Sequence, residues 1–305
     1  MNLPDRHIFT LTGNLLGERT FEFASWQAGR TQRAMRESFQ VGGKGINVSK
    51  MLTRLGLPNT ALCFTGGASG AECEAWLREH RFPHQAFATR APTRSGTVVL
   101  SVSQPETTFL GADAPPDAGA LCGCAEFLDA QPDGHVLALC GSFPGCGDAS
   151  FAPLFAAVER WTARGMVVAD TYGPMLLWVA ARPLALVKIN AAEFLALDEQ
   201  RMAISAPGLR RTTQPFPVRQ WVISDGPRRV WWHEPPGEPA SLMPPPVNEV
   251  SATGSGDVLF ACLLYALHRR GSSLRDAVAF ALPYAAANAA HPGVADFPLP
   301  PSSGP

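Results

Sequence analysis

Long apolar runs are missing from this sequence. None reaches the roughly 18 residues that a membrane-spanning helix needs; the nearest, Val258 to Leu267, is short and reads as a buried helix. Excess charge of one sign is missing too. Lys and Arg number 25 against 26 Asp and Glu, a formal net charge of -1. No global field therefore draws nucleic acid or an anionic membrane, and an anionic ligand must be held by local groups. The opening "MNLPDRHIFTLTGN" places Asp5, Arg6 and His7 before only a short apolar stretch, so no signal peptide is expected. Paired cysteines are not evident: the seven are an odd number, and Cys63 and Cys262 lie in apolar runs. Reduced, buried thiols and a cytoplasmic setting are expected. Cys122 and Cys124, with Cys140 and Cys146, raise a metal reading. Their spacing matches no zinc ribbon or finger and no His falls at a ligand interval, which leaves that reading weak. No internal repeat is seen.

What is present is apolar residue in quantity: 46% hydrophobic against 17% charged over 305 residues. That suffices for a large core and argues against disorder. From residue 130 onward, strand-like runs alternate with helical ones. "HVLALCGS", "MVVAD", "LALVKIN" and "QWVISDG" are continuous apolar runs, and amphipathic or apolar helices stand between and after them. This order predicts an α/β fold whose mostly parallel sheet is covered on both faces. Before residue 112 the strands, "TFEFASW" among them, alternate apolar and polar residues and suit a smaller sheet with one wet face. "VGGKGINVSKMLTRLG" reads as a Gly-rich turn and a helix, and the Pro-dense 234–247 reads as a loop.

In such sheets ligands bind outside the carboxyl ends of the strands. Those positions hold Gly42-Gly43-Lys44-Gly45, Gly141-Ser142, Asp170, Lys188, Asn190, Glu193, Ser224-Asp225-Gly226 and Gly254-Ser255-Gly256-Asp257. In the last of these, two glycines let backbone approach a ligand, and N–H groups with a helix N-terminus behind them make an anion hole. Asp257 falls in the first helical turn, placed to take a proton from a hydroxyl beside that anion. Phosphoryl transfer to an alcohol needs this pair of features. By itself "GSGD" equally fits an acidic helix start after a tight turn. "GGKG" is neither a Walker A loop nor a dinucleotide fingerprint and by itself fits a turn with a solvated Lys.

Taken together and in order, the segments resemble the PfkB (ribokinase-like) carbohydrate kinases, and within them the phosphosugar branch. "GGKGINVSKMLTRLG" resembles the first signature and "VSATGSGDVLFACLLYAL" the second. "GSFPG", "KINAAE" and "SDG" resemble the intervening segments. The resemblance implies a three-layer sandwich with a small β-sheet lid, here from about 18–41 and 90–112, in a single domain. It implies ATP and Mg²⁺ as cofactors, a sugar phosphate as substrate, and a homodimer through the lid sheet.

The resemblance makes Asp257 the general base and Gly254, Ser255 and Gly256 the anion hole. Asn190 and Glu193 take the place that organises Mg²⁺ through water. Lys188 approaches phosphate, and Ser224 and Gly226 fall on the nucleotide side. Gly43, Lys44, Asn47 and Ser142 fall on the sugar side. Arg33 and Arg94 match positions that bind the substrate's own phosphate, a task suited to a guanidinium fork. A fructose 1-phosphate or tagatose 6-phosphate type ketose is the implied acceptor. The chain also departs from the pattern: Glu18 stands for a sugar-binding Asp, Leu15 for Pro, Ser251 and Ala252 for Asp-Thr, Ser255 for Ala and Ile189 for Pro. These leave two alternatives standing: a kinase of an unphosphorylated sugar or nucleoside, and a weakly active or inactive binding protein on the same scaffold.

Overall fold

The computed structural model describes residues 6–102, 104–198 and 204–300. In chain order its strands are β1 (Ile8–Thr12), β2 (Leu16–Phe23), β3 (Arg36–Gly42), β4 (Asn59–Thr65), β5 (His84–Ala88), β6 (Arg94–Ser101) and β7 (Gln104–Leu110). There follow β8 (Val136–Gly141), β9 (Met166–Thr171), β10 (Leu186–Asn190), β11 (Trp221–Asp225), β12 (Arg229–His233) and β13 (Ala240–Leu242). The helices are α1 (Lys44–Arg54), α2 (Gly67–Glu79), α3 (Ala118–Asp129), α4 (Ala152–Arg164), α5 (Pro174–Ala180), α6 (Ala191–Leu197), α7 (Ala206–Thr213), α8 (Ser255–His268) and α9 (Leu274–Ala289).

Nine strands form the main sheet in the order β13-β12-β11-β10-β9-β8-β1-β4-β5. The seven from β11 to β5 run parallel, and β12 and β13 are antiparallel at one edge. Alternation within the buried runs feeds two cores. Leu137 and Leu139 of β8 face a cluster completed by α3–α7, while Val136, Ala138 and Cys140 face one completed by α1, α8 and α9. Each fully buried Val, Leu or Ile in these layers contributes about 1.5–3 kcal/mol. α8 is apolar nearly all round and correspondingly buried. Among the described residues no helix is long and apolar enough to cross a membrane.

The second sheet, of four strands in the order β3-β2-β6-β7, is separate and packs on α2. Its strands come from 16–23, 36–42, 94–101 and 104–110. Strand β2 opens at Leu16, four residues before the alternation at Thr20 makes it visible, so Glu18 lies within it.

Five elements were not legible. β3 lies in the range expected for the lid, but its exposed first half, Arg36 to Ser38, hides the strand. β5 is short and polar, α7 is short with Pro207 in its first turn, and β13 is a three-residue edge strand inside the Pro-dense segment. That segment is therefore not wholly loop. In α3 two glycines obscure the helical period, but Asp117 caps it by accepting from the Ala120 N–H at 3.0 Å. Cys122 and Cys124 lie on this helix. All seven thiols are free, and no described residues cluster as a metal site.

Candidate active site

Parallel pairing brings the carboxyl ends of β1, β8, β9, β10 and β11 to one edge. In register, Cys140 faces Asp170 and Asn190 faces Ser224. The first turns of α1 and α8 meet there, Asn47 of α1 bonding to Asp257 of α8.

Asp170 is the electrostatic centre. It is fully buried, and its Oδ1 and Oδ2 accept from Lys44 Nζ at 2.7 Å and Lys188 Nζ at 2.8 Å. Burial pushes its carboxyl up, but Lys188 and Lys44 outweigh that and hold it below the usual carboxylate range. Burial alone would lower Lys44, yet Asp170, Asp257 and Glu193 together raise it, so the ammonium stays charged. Lys44 also lies 3.4 Å from Glu193 Oε1. The "GGKG" lysine is thus a half-buried cation paired with two carboxylates rather than a freely solvated one.

Asp257 is only 6% exposed and accepts from Asn47 Nδ2 at 2.7 Å. Burial pushes its carboxyl up to about 6, with Asp170 adding to the rise, and Lys44, Lys188 and Asn47 opposing it. Such a value belongs to a group that can take a proton near neutrality. In the turn before it, the Ser255 N–H bonds to Ala252 O at 3.2 Å, and Val258 N–H returns to Gly254 O at 2.9 Å. The Gly256 and Asp257 N–H groups find no carbonyl among the described residues. They are free donors at the start of a 14-residue helix.

Gly254 must be glycine. Its φ is +74°, and a Cβ would fall 2.2 Å from Val294 Cγ1. Gly254→Ala is expected to cost about 2 kcal/mol or more from the left-handed backbone and the overlap together. Thermal unfolding should show the loss, and Val294→Ala should restore part of it. Gly256 closes on the other side, where a Cβ would meet Lys188 Nζ at 2.8 Å. Gly43 has φ +109° and turns the chain into α1 against Thr12.

Asn190 and Glu193 form a capping box at α6: Asn190 Oδ1 accepts from Glu193 N–H at 2.9 Å, and Glu193 Oε2 from Asn190 N–H at 2.8 Å. One carboxylate beside Lys44 makes no all-protein metal cage. It does suit a hard cation that keeps its waters and bridges phosphates. Ser224 stands next to Asn190, and Gly226 turns β11 into β12 with φ +54°.

Arg94 opens β6 with its side chain 13% exposed, 3.4 Å from Asp113 Oδ1. Asn14, after β1, donates through Nδ2 to the same oxygen at 2.8 Å and to Ser142 Oγ at 3.2 Å. The other two expected substrate residues stand apart. Glu18 accepts from Gln40 Nε2 at 2.5 Å, and Gln40 Oε1 in turn accepts from Lys50 Nζ at 3.2 Å. Arg33 is exposed between β2 and β3 and makes no ion pair with a described residue.

Several site residues carried no assigned role in the sequence. Asp170 was visible only as a strand-end acid. Asn14 opens the motif in which Leu15 and Glu18 are the replacements, and Asp113 had no pattern to mark it. Asn288 is fully buried and holds the Gly-rich turn by donating to Thr253 O at 2.9 Å and Ser255 Oγ at 3.1 Å. A lone amide in the alanine run "AAANAA" was its available signal. Ser251 Oγ accepts from the Thr253 N–H at 3.3 Å, so this replacement still orders the loop.

Comparison with known proteins completes the identification. The family model for "pfkB family carbohydrate kinase" matches residues 15–301. The chain belongs to the pfkB family of carbohydrate kinases. It is accordingly a phosphotransferase with an alcohol acceptor, from a family of ATP-dependent kinases. This kinase is 30% identical over 281 residues to a 1-phosphofructokinase of Rhodobacter capsulatus, covering 85% of this chain and 83% of that one. Among solved structures it is similar to the tetrameric inhibited form of phosphofructokinase-2 from Escherichia coli. The TM-score is 0.83 at 23% identity, with 93% of this chain and 94% of that one covered. The same enzyme in complex with fructose-6-phosphate gives a TM-score of 0.79 at 22% identity, covering 92% of each chain. The fold is thereby the ribokinase-like α/β sandwich with a smaller separate sheet.

Proposed function

We propose that this kinase transfers the γ-phosphoryl group of ATP to a hydroxyl of a ketose phosphate of the fructose 1-phosphate or tagatose 6-phosphate type. The observation that carries this reading is that Arg94 and Asn14 converge on one Asp113 oxygen while Asn14 also reaches Ser142, a set of donors separate from the Asn47–Asp257 pair. A buried guanidinium there gives a substrate phosphate a charge-assisted partner and leaves the sugar's hydroxyls directed at the base. The 1-phosphofructokinase name of the relative supports the same substrate class.

In this reading the acceptor hydroxyl donates to the Asp257 carboxylate, held in place by Asn47. As that proton leaves, the hydroxyl oxygen bonds to the γ-phosphorus, the bond to the β–γ bridging oxygen breaks, and ADP departs. The free N–H groups of Gly256 and Asp257 and the Lys44–Asp170–Lys188 array stabilise charge on the transferring group. Asn190 and Glu193 would hold Mg²⁺ through water, where it would supply neutralising charge for the β- and γ-phosphates. Ser224 and Gly226 border the nucleotide. The second sheet acts as the lid: Thr253 Oγ1 donates to Glu106 Oε1 at 2.9 Å, tying β7 to the turn beside the base. Closure excludes water, the competing acceptor. The exposed Phe109 and Leu110 of β7 support pairing of a second copy through this sheet.

The test is ADP release with Mg-ATP and a panel of sugar phosphates, free sugars and nucleosides. Sugar phosphates should be turned over best. Arg94→Ala should raise KM for them about tenfold or more, the loss of one charge-assisted pair. Turnover of free sugars alone, insensitive to Arg94→Ala, would reject the phosphosugar reading.

A further inference from the structure

Asp113 lies in the segment leading from β7 to α3, outside both sheets. One oxygen, Oδ1, accepts from Asn14 Nδ2 at 2.8 Å and from Arg94 Nη1 at 3.4 Å. A single carboxylate thus joins the edge of the main sheet to the start of β6. Its partners are fixed: Asn14 is 5% exposed and the Arg94 side chain 13%. The Asp113 side chain is 60% exposed and is the member free to move. The cradle also has capacity that Asp113 does not use. Arg94 Nε and Asn14 Oδ1 are buried with no hydrogen-bond partner among the described residues. The Asp113 carboxylate offers Arg94 and Asn14 the same chemistry as a phosphate ester, anionic oxygens on a guanidinium and an amide, with fewer oxygens and less charge.

We propose that Asp113 is a specificity-determining residue, an internal anion that holds the Arg94–Asn14 cradle and swings out when the phosphate of a sugar phosphate enters. This inference rests on the reading of Arg94 as the phosphate's partner. A phosphate dianion outcompetes one carboxylate because it brings more charge and more acceptor oxygens to the same donors. A neutral ligand brings neither and leaves Asp113 in place, so the cradle opens only to a ligand carrying its own anionic group. A partly exposed Arg–Asp pair is a weak competitor, and its effect on substrate affinity is a modest factor rather than a block.

The experiment is steady-state kinetics of the full chain with Mg-ATP and fructose 1-phosphate, or the best sugar phosphate of the panel. The proteins are wild type, Asp113→Asn, Asp113→Ala, Arg94→Ala and the Arg94→Ala/Asp113→Asn double variant. Removing the competing carboxylate should lower KM about two- to fivefold, with kcat moving less than KM. Inorganic phosphate should become a stronger competitive inhibitor by a similar factor. In the Arg94→Ala background, Asp113→Asn should no longer lower KM, because the competition runs through the guanidinium. KM unchanged or raised in both Asp113 variants, while Arg94→Ala raises it, would overturn the Asp113 inference alone. KM unchanged in Arg94→Ala would remove the phosphate reading of Arg94 and the inference with it.

Discussion

Asp257→Asn is expected to lower kcat by about 10²–10⁴-fold, the usual contribution of a positioned general base. The amide keeps the shape of the carboxylate and its bond from Asn47 can be kept through Oδ1, so the cleft should remain intact. What disappears is the ability to take the acceptor's proton. KM for the sugar phosphate should therefore change far less than kcat, because Asp257 acts on a hydroxyl while Arg94 holds the other end of the ligand. A variant that loses affinity and keeps turnover would place Asp257 among the binding groups instead.

The pH dependence follows from the same burial. The Asp257 carboxyl lies up at about 6, and the base works only when ionised. The low-pH limb of kcat/KM should fall as pH drops through about 6 and should vanish from the residual activity of Asp257→Asn. Stability should respond in the opposite sense. A carboxyl whose pKa is higher folded than unfolded favours the fold when protonated, and that favour is lost as pH rises through the folded value. At neutral pH the wild type carries an ionised carboxylate under burial, at a cost of up to about 3 kcal/mol. Asp257→Asn should thus be far less active yet more stable at pH 7 than wild type, with the gap closing near pH 4. Urea unfolding at the two pH values reads this directly. A residue kept for packing would not show it.

The parallel sheet and the GSGD turn were legible because each is a local signal: apolar runs bounded by small residues, and a Gly-rich turn ahead of an apolar helix. The contacts that organise the site were not. Lys44 and Asp170 are 126 residues apart, and Asn47 and Asp257 are 210 apart. Nothing local in "GGKG" marks a lysine that will be paired with two acids, so its solvated reading fitted as well. Asp113 and Asn288 act through single side chains with no repeat or spacing to expose them, and Asn14, though it opens a motif, was given no partner by it. Glu18 shows the converse limit. Its place in the motif was readable, but its bond to Gln40 depends on the register of β2 against β3, which pairs the two residues directly.

Asp170 should prove the residue on which the folded cleft most depends. It lies between two ammonium groups, one of them on Lys188, which is 2% exposed. Replacing it with Ala takes the ion-pair partner from buried Lys188 and leaves Lys44 with Glu193 alone at 3.4 Å, and breaking a buried pair from one side costs about 3–5 kcal/mol. Lys188 cannot reach water without leaving β10, whereas the Lys44 side chain is 25% exposed and is the less affected of the two. Asp170→Ala should therefore unfold at markedly lower urea concentration and lose most activity, since both lysines border the transferring phosphoryl group in the proposed mechanism. The pH signature has the reverse sign to that of Asp257. Asp170 is held below the usual carboxylate range, so its contribution is present above the unfolded value and lost as pH falls through the folded one. The acid limb of the wild-type stability curve should be steeper than that of Asp170→Ala. Adding Lys188→Met to Asp170→Ala separates charge from shape: removing one stranded cation should recover part of the stability, because an apolar replacement of a buried pair is often tolerated. Activity should not return with it. If the double variant were instead less stable than Asp170→Ala, the loss would lie in packing of β9 against β10 and not in the unbalanced charge.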